Sequence, residues 1–232
     1  MADQPVFRGF SKKTVTFFRE LAKHNDKNWF AAHRADYDEH VLAPAQAFVV
    51  ALGERLREIA PGVHAEPRVD RSIFRLHRDT RFTHDKSPFK THLGIYFWDG
   101  DRPKLECTGF YFHLEPPIMM LGAGLYIFPP PLLEEYRRAV MHPVHGAALE
   151  DALKTVAGRR YDVGEAHYKR IPRGFDPAHP RASLLLHNGL WAGREERIPD
   201  VLYSEKLVAY CFKNYRALLP LHQWLAAMVE RA

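Results

Sequence analysis

The chain of 232 residues has only two cysteines, Cys107 and Cys211, far apart and outside any CxxC pair. A disulfide framework and a zinc ribbon are therefore not expected, and a reducing cytoplasm is the compartment that fits. No apolar run approaches the length of a membrane span, and MADQPVFRGF at the start lacks the apolar core of a signal peptide. No HExxH, no glycine-rich phosphate loop and no internal repeat occur. Gly122-x-Gly124 lacks the third glycine of a dinucleotide fingerprint and is followed by more strand, so a bulge or close backbone approach is the expected reading. Present instead is ample core material, with 46% hydrophobic and 12% aromatic residues. The net charge of +5 permits polyanion binding without demanding it.

Read in order, the chain changes character twice. Ser11 has the chemistry of a helix N-cap, with Val15, Phe18 and Leu21 following at helical spacing. A second helix opens at Asp26, carrying Phe30, His33, Tyr37 and Val41. Pro44 should break it or start a third, with Phe48, Leu52, Leu56 and Ile59. Beyond Pro67, strands are expected over 72–77, 93–98, 105–114 and 118–128, with a hairpin-type turn at Asp99-Gly100-Asp101. Pro129-Pro130-Pro131 then opens a helical C-terminal part. The expectation is an α+β fold: one domain over 1–232, helical at 10–60, β-rich at 68–128 and helical at 130–232. Its central sheet should be mostly antiparallel, with four or more strands.

The densest chemistry lies between Arg71 and His92, RSIFRLHRDTRFTHDKSPFKTH. Six cations (Arg71, Arg75, Arg78, Arg81, Lys86, Lys90) stand there against two acids, Asp79 and Asp85. Guanidinium forks bind carboxylate or phosphate in bidentate fashion. Two acids cannot neutralise six cations, so charge is left for a ligand. The purely structural reading has Asp79 and Asp85 pairing with these cations to pin a long loop, and it leads for Asp85 and Lys86. The anion-site reading leads for Arg75, Arg78 and Arg81. Lys90 and, from a proline-rich loop, Arg173 are further candidates, and Asp79 is the candidate general base. Phe82, Asp85 and Trp29 are assigned structural roles; a Lys-Asn-Trp turn at a helix start also suits an anion, but a core aromatic is the better reading.

Other matches carry little. His77-Arg78-Asp79 copies a kinase triplet, but His84 stands where that motif needs Asn and its companion motifs are missing. His77-x-Asp79 has the spacing of two facial-triad ligands, yet fourteen histidines make a third easy to nominate by chance. His142-x-x-His145 is interrupted by Pro143. Ser87 and Cys107 lack an identifiable catalytic partner. No metal is assigned, and no cofactor or oligomeric state is read from the sequence.

The segment Arg75-x-x-Arg78-Asp79-x-Arg81-Phe82-x-x-Asp85-Lys86-x-x-Phe89 resembles the signature of the domain of unknown function 2461 family, with Phe89 where a tyrosine is usual. The stretch from His24 to Phe30 is similar to that family's N-terminal N-N-x-x-x-W-F element, His24 departing from the first asparagine. Gly122-Ala123-Gly124 with Arg137, and the segment from Lys169 to Pro180, resemble two further elements, so the likeness covers nearly the whole chain. It implies an intracellular protein and brings no settled activity. The leading expectation is a site for a phosphate- or carboxylate-bearing ligand, enzymatic if Asp79 serves as general base or metal-facing acid. A nucleic-acid or protein-interaction module and a structural salt-bridge network are the competing readings.

Overall fold

In the computed structural model, residues 6–232 are described. Helix α1 (Lys12–Lys23) begins where the Ser11 hydroxyl accepts the Thr14 N–H and the Thr14 hydroxyl accepts the Ser11 N–H, a reciprocal cap. Val15, Phe18 and Leu21 are buried, as their spacing requires. Asp26 caps α2 (Lys27–Ala32) by accepting the backbone N–H groups of Asn28 and Trp29. Helix α3 (Arg34–Tyr37), a π-helical turn over Asp38–Leu42 and α4 (Ala43–Leu56) then follow without a loop. Pro44 follows the π-helical turn at the start of α4, and the His40 carbonyl, which a residue-44 N–H would take in a regular helix, accepts the Thr14 hydroxyl at 2.6 Å instead. Phe48, Leu52 and Leu56 on α4 are fully buried.

Six strands form one antiparallel sheet in the order β1-β2-β3-β4-β6-β5. They are β1 (Val63–His64), β2 (Leu93–Asp99), β3 (Thr108–Glu115), β4 (Ile118–Leu125), β5 (Asp162–Val163) and β6 (Leu190–Arg197). Period-two alternation governs β3. Phe110, Phe112 and Leu114 are fully buried, while Tyr111, His113 and Glu115 occupy the opposite, half-buried face. Phe112 packs its ring 5.0 Å from Phe48 and 5.8 Å from Phe10. Gly124 in β4 has φ +139, and a Cβ there would lie 2.4 Å from the Leu190 carbonyl oxygen; this is the close backbone approach the glycine pattern suggested.

Two compact units divide the chain, one of Met1–Phe97, Tyr111–Leu121 and Glu195–Lys213, the other of Trp98–Phe110, Gly122–Arg194 and Asn214–Ala232. Both are discontinuous, which is why no linker marks them. Within the second, α5 (Pro130–Met141) and α6 (Pro143–Gly158) pack together. Helix α7 (Leu207–Glu230) runs unbroken past Pro220, with Leu207, Cys211, Tyr215, Leu221, Leu225 and Met228 all buried.

Three sequence expectations need correcting. Residues 72–77 form no continuous strand: isolated bridges join Ile73 to Ile95 and His77 to Phe89. Opposite Arg78, the partner backbone includes Pro88, which has no N–H to extend a ladder. The segment 130–232 is not wholly helical, because β5 and β6 lie within it. Strand β6 escapes notice because its buried half, Leu190–Gly193, is followed by four charged residues, Arg194-Glu195-Glu196-Arg197. Finally, Asp99-Gly100-Asp101 is no tight hairpin; a 3-10 turn at Lys104–Glu106 also lies between β2 and β3.

Candidate functional site

The arginine-rich loop leaves at Arg78 and returns at Pro88, whose carbonyl accepts the Arg78 N–H at 2.9 Å. It is held at its root by Asn25, from the turn between α1 and α2. The Asn25 Oδ1 accepts the Phe89 N–H at 3.0 Å, and Nδ2 donates to the Phe89 carbonyl at 2.9 Å. The Phe89 ring is buried against Phe30 (4.4 Å between centroids) and His77 (4.9 Å).

Inside the loop the two acids are taken up locally. Asp85 accepts the Ser87 hydroxyl (2.6 Å) and N–H (2.9 Å) and pairs with Arg78 Nη1. These bonds, those from Ser87 foremost, hold its carboxyl well below the usual range. Asp79 accepts a two-pronged contact from Arg81, Nε at 2.9 Å and Nη2 at 2.7 Å. With the Arg81 N–H added, its pKa falls to about 2. At neutral pH the Asp79 carboxylate is ionised and held by Arg81. Lys86 donates to the Thr80 carbonyl at 2.8 Å.

Arg78 and Lys90 come together. Both line an open cleft of about 420 Å³ with Asn25, Asp85, Ser87, Thr91 and His92. Arg78 spends only Nη1 on protein partners, Asp85 and the Ser87 carbonyl; Nε and Nη2 have none among the described residues. Lys90 Nζ has no hydrogen bond or ion pair among them either, and stands 5.4 Å from the Phe74 ring centroid. Burial, then the nearby Arg75 charge, pushes the Lys90 ammonium pKa down. Arg75 itself is exposed.

The remaining candidates lie elsewhere. Arg81 is engaged with Asp79 outside the cleft lining. Arg173 is exposed and belongs to the other compact unit. Phe82, given a structural role from sequence, is 90% exposed, its ring 5.5 Å from the Arg81 guanidinium. Trp29 is half-buried rather than core, stacked on His33 at 4.0 Å and tilted against Phe17. The second unit has its own wider cleft, about 680 Å³, lined by Phe128, Arg137, Tyr168 and Phe175 among others. There the Arg137 Nε is buried without a hydrogen-bond partner.

Sequence reasoning missed a cluster of His92, His113 and Glu115. His92 directly precedes β2, and Tyr111-x-His113-x-Glu115 shares one face of β3. Alternation along β3 could have flagged that triplet; nothing in the sequence placed His92 beside it. His113 Nδ1 is 3.0 Å from the Tyr111 hydroxyl, and Nε2 is 3.3 Å from Glu115 Oε2. The Thr91 hydroxyl donates to Glu115 Oε1 at 2.5 Å. Burial, reinforced by His113, lowers the His92 pKa to about 4. For Glu115, burial pulls upward, but Thr91 and His113 prevail and the net shift is down.

The chain is thus an α+β protein with a six-stranded antiparallel sheet and a partly cationic cleft beside it in the first unit. A family model described as "Conserved hypothetical protein (DUF2461)" matches residues 13–224, and the chain belongs to that family. A comparison with curated proteins finds no match. Among the described residues, no helix is long and apolar enough to cross a membrane.

Proposed function

We propose that the cleft between the α1–α2 turn and the arginine-rich loop binds a small phosphate- or carboxylate-bearing anion. One observation carries this reading: Lys90 and Arg78 line the same cleft, and the Lys90 ammonium and two of the three Arg78 guanidinium nitrogens have no hydrogen-bond or ion-pair partner among the described residues. A half-buried ammonium that makes no ion pair carries a desolvation penalty that an anion offsets, and each charge-assisted hydrogen bond contributes roughly 1.5–3 kcal/mol. Arg75 adds positive potential, felt at Lys90. Arg81, Lys86 and Arg173 stand outside the proposed contacts, and Asp79 is given no proton-transfer role.

A small anion is favoured over a nucleic-acid strand because neighbouring cations are already paired. Arg68 and Arg71 both reach Glu66, and Arg81 holds Asp79. A polyphosphate track needs those charges free. The cytoplasm is the proposed compartment, supported by two buried cysteines that form no disulfide.

The test is a thermal-shift screen of phosphate, nucleotides and small organic acids on the wild type and on Lys90→Ala. A ligand that binds only the folded protein raises its melting temperature. The expected result is stabilisation by an anion, lost in Lys90→Ala while its unliganded melting temperature stays near wild type. Equal stabilisation of both proteins would overturn the assignment.

A further inference from the structure

The His92–His113–Glu115 cluster points to a second kind of chemistry, independent of whether the cleft takes an anion. We propose that these three side chains bind a divalent transition-metal ion, with zinc the best match to the donors. One ligand atom from each lies within 4.8 Å of the others. Zinc bonds of about 2.0–2.1 Å place tetrahedral donors roughly 3.4 Å apart. His113 Nε2 and Glu115 Oε2 already meet that spacing at 3.3 Å. The His92 ring centroid lies 4.3 Å from that of His113, so a modest side-chain rotation brings in the third donor.

A plain hydrogen-bonded pair explains His113 and Glu115 but not His92. Neither His92 ring nitrogen has a hydrogen-bond partner among the described residues, although the residue is half-buried. Two imidazoles and one carboxylate form a donor set that suits zinc, iron or nickel better than magnesium or calcium, which prefer all-oxygen shells. Three protein ligands also leave a coordination position open, as in catalytic rather than structural zinc sites.

The supporting residues fit the same reading. A proton on His113 Nδ1, donated to the Tyr111 hydroxyl oxygen, leaves the Nε2 lone pair for the metal. Thr91 holds the other Glu115 oxygen and so orients the carboxylate. Gly94 leaves room for this arrangement, since a Cβ there would lie 2.9 Å from the Tyr111 hydroxyl. His92 also lines the cationic cleft, so the ion would sit at its wall.

The experiment strips the full chain with a chelator, then titrates zinc against a chromophoric competitor, with cobalt(II) absorption as a second readout. Expected are one tight zinc per chain and a four- or five-coordinate cobalt spectrum. His92→Ala, Glu115→Gln and His113→Ala should abolish both. His92→Ala is the decisive variant, because its ring makes no hydrogen bond whose loss would unfold the protein. Tyr111→Phe should retain the site but weaken zinc about 10- to 100-fold, the usual effect of losing a hydrogen-bond partner of a ligand. The His142–His145 pair, with rings 4.4 Å apart, is the control, and replacing both should leave zinc stoichiometry and affinity unchanged. Absence of stoichiometric zinc in the folded wild type would overturn the proposal, as would zinc binding that survives His92→Ala or disappears with the control pair.

Discussion

Asn25 grips Phe89 with both ends of its amide across 64 residues of chain, accepting the N–H at 3.0 Å and donating to the carbonyl at 2.9 Å. This pairing anchors the return of the arginine-rich loop to the turn between the first two helices. Replacement by Ala leaves two backbone groups unpaired, each costing about 1–3 kcal/mol where water cannot reach. Asn25→Ala is therefore expected to destabilise the protein by about 2 kcal/mol in urea unfolding. Asn25→Asp, which keeps the acceptor and loses the donor, should fall between it and wild type.

Asp85 competes with any anion for Arg78. Asp85→Asn removes one negative charge from the cleft and should tighten binding of the anion found in the thermal screen, several-fold by titration calorimetry. The Arg78–Asp85 pair is partly exposed, with 27% and 61% of the side chains accessible, so its own loss should cost at most about 1 kcal/mol. If the segment were only a folding device, Asp85→Asn would instead unfold the protein with no gain in affinity.

His187 is half-buried in the second unit, its Nδ1 without a hydrogen-bond partner, and burial lowers its pKa below the ordinary 6.5. The unfolded chain then takes up a proton at higher pH than the folded one. Stability contributed by the neutral ring is complete above 6.5 and declines as pH falls from there towards the lowered folded value. His187→Leu should flatten that decline in denaturant unfolding as pH falls below 6.5, without loss of stability at neutral pH. An unchanged slope would contradict this account.

Gly124→Ala is expected to destabilise the second unit. A Cβ would stand 2.4 Å from the Leu190 carbonyl and 2.5 Å from the Trp191 Cα, at a φ of +139 that side chains rarely adopt. Strain of that kind costs about 1–3 kcal/mol before the clash is counted. A melting temperature several degrees lower should accompany it, whereas Gly158→Ala, with open space around the added carbon, should not lower it.

Local chemistry made much of this protein legible from its residues alone. Ser11 and Asp26 place two helix starts because each supplies an oxygen to unpaired N–H groups within three residues. The α+β class follows from helical spacing before Pro67 and β-rich, turn-punctuated segments after it. The signature from Arg75 to Phe89 lies inside the stretch matched by the family. Tertiary structure decided what those residues are free to do. Arg81 and Lys90 look alike as cations in a loop, yet Arg81 is held by Asp79 while Lys90 lines a cleft and makes no ion pair among the described residues. His92 meets His113 and Glu115 only because β2 and β3 are neighbours in the sheet. Period-two alternation says which side chains of one strand share a face; the register against the next strand says which residue stands opposite, and that is set by the packing of the whole sheet.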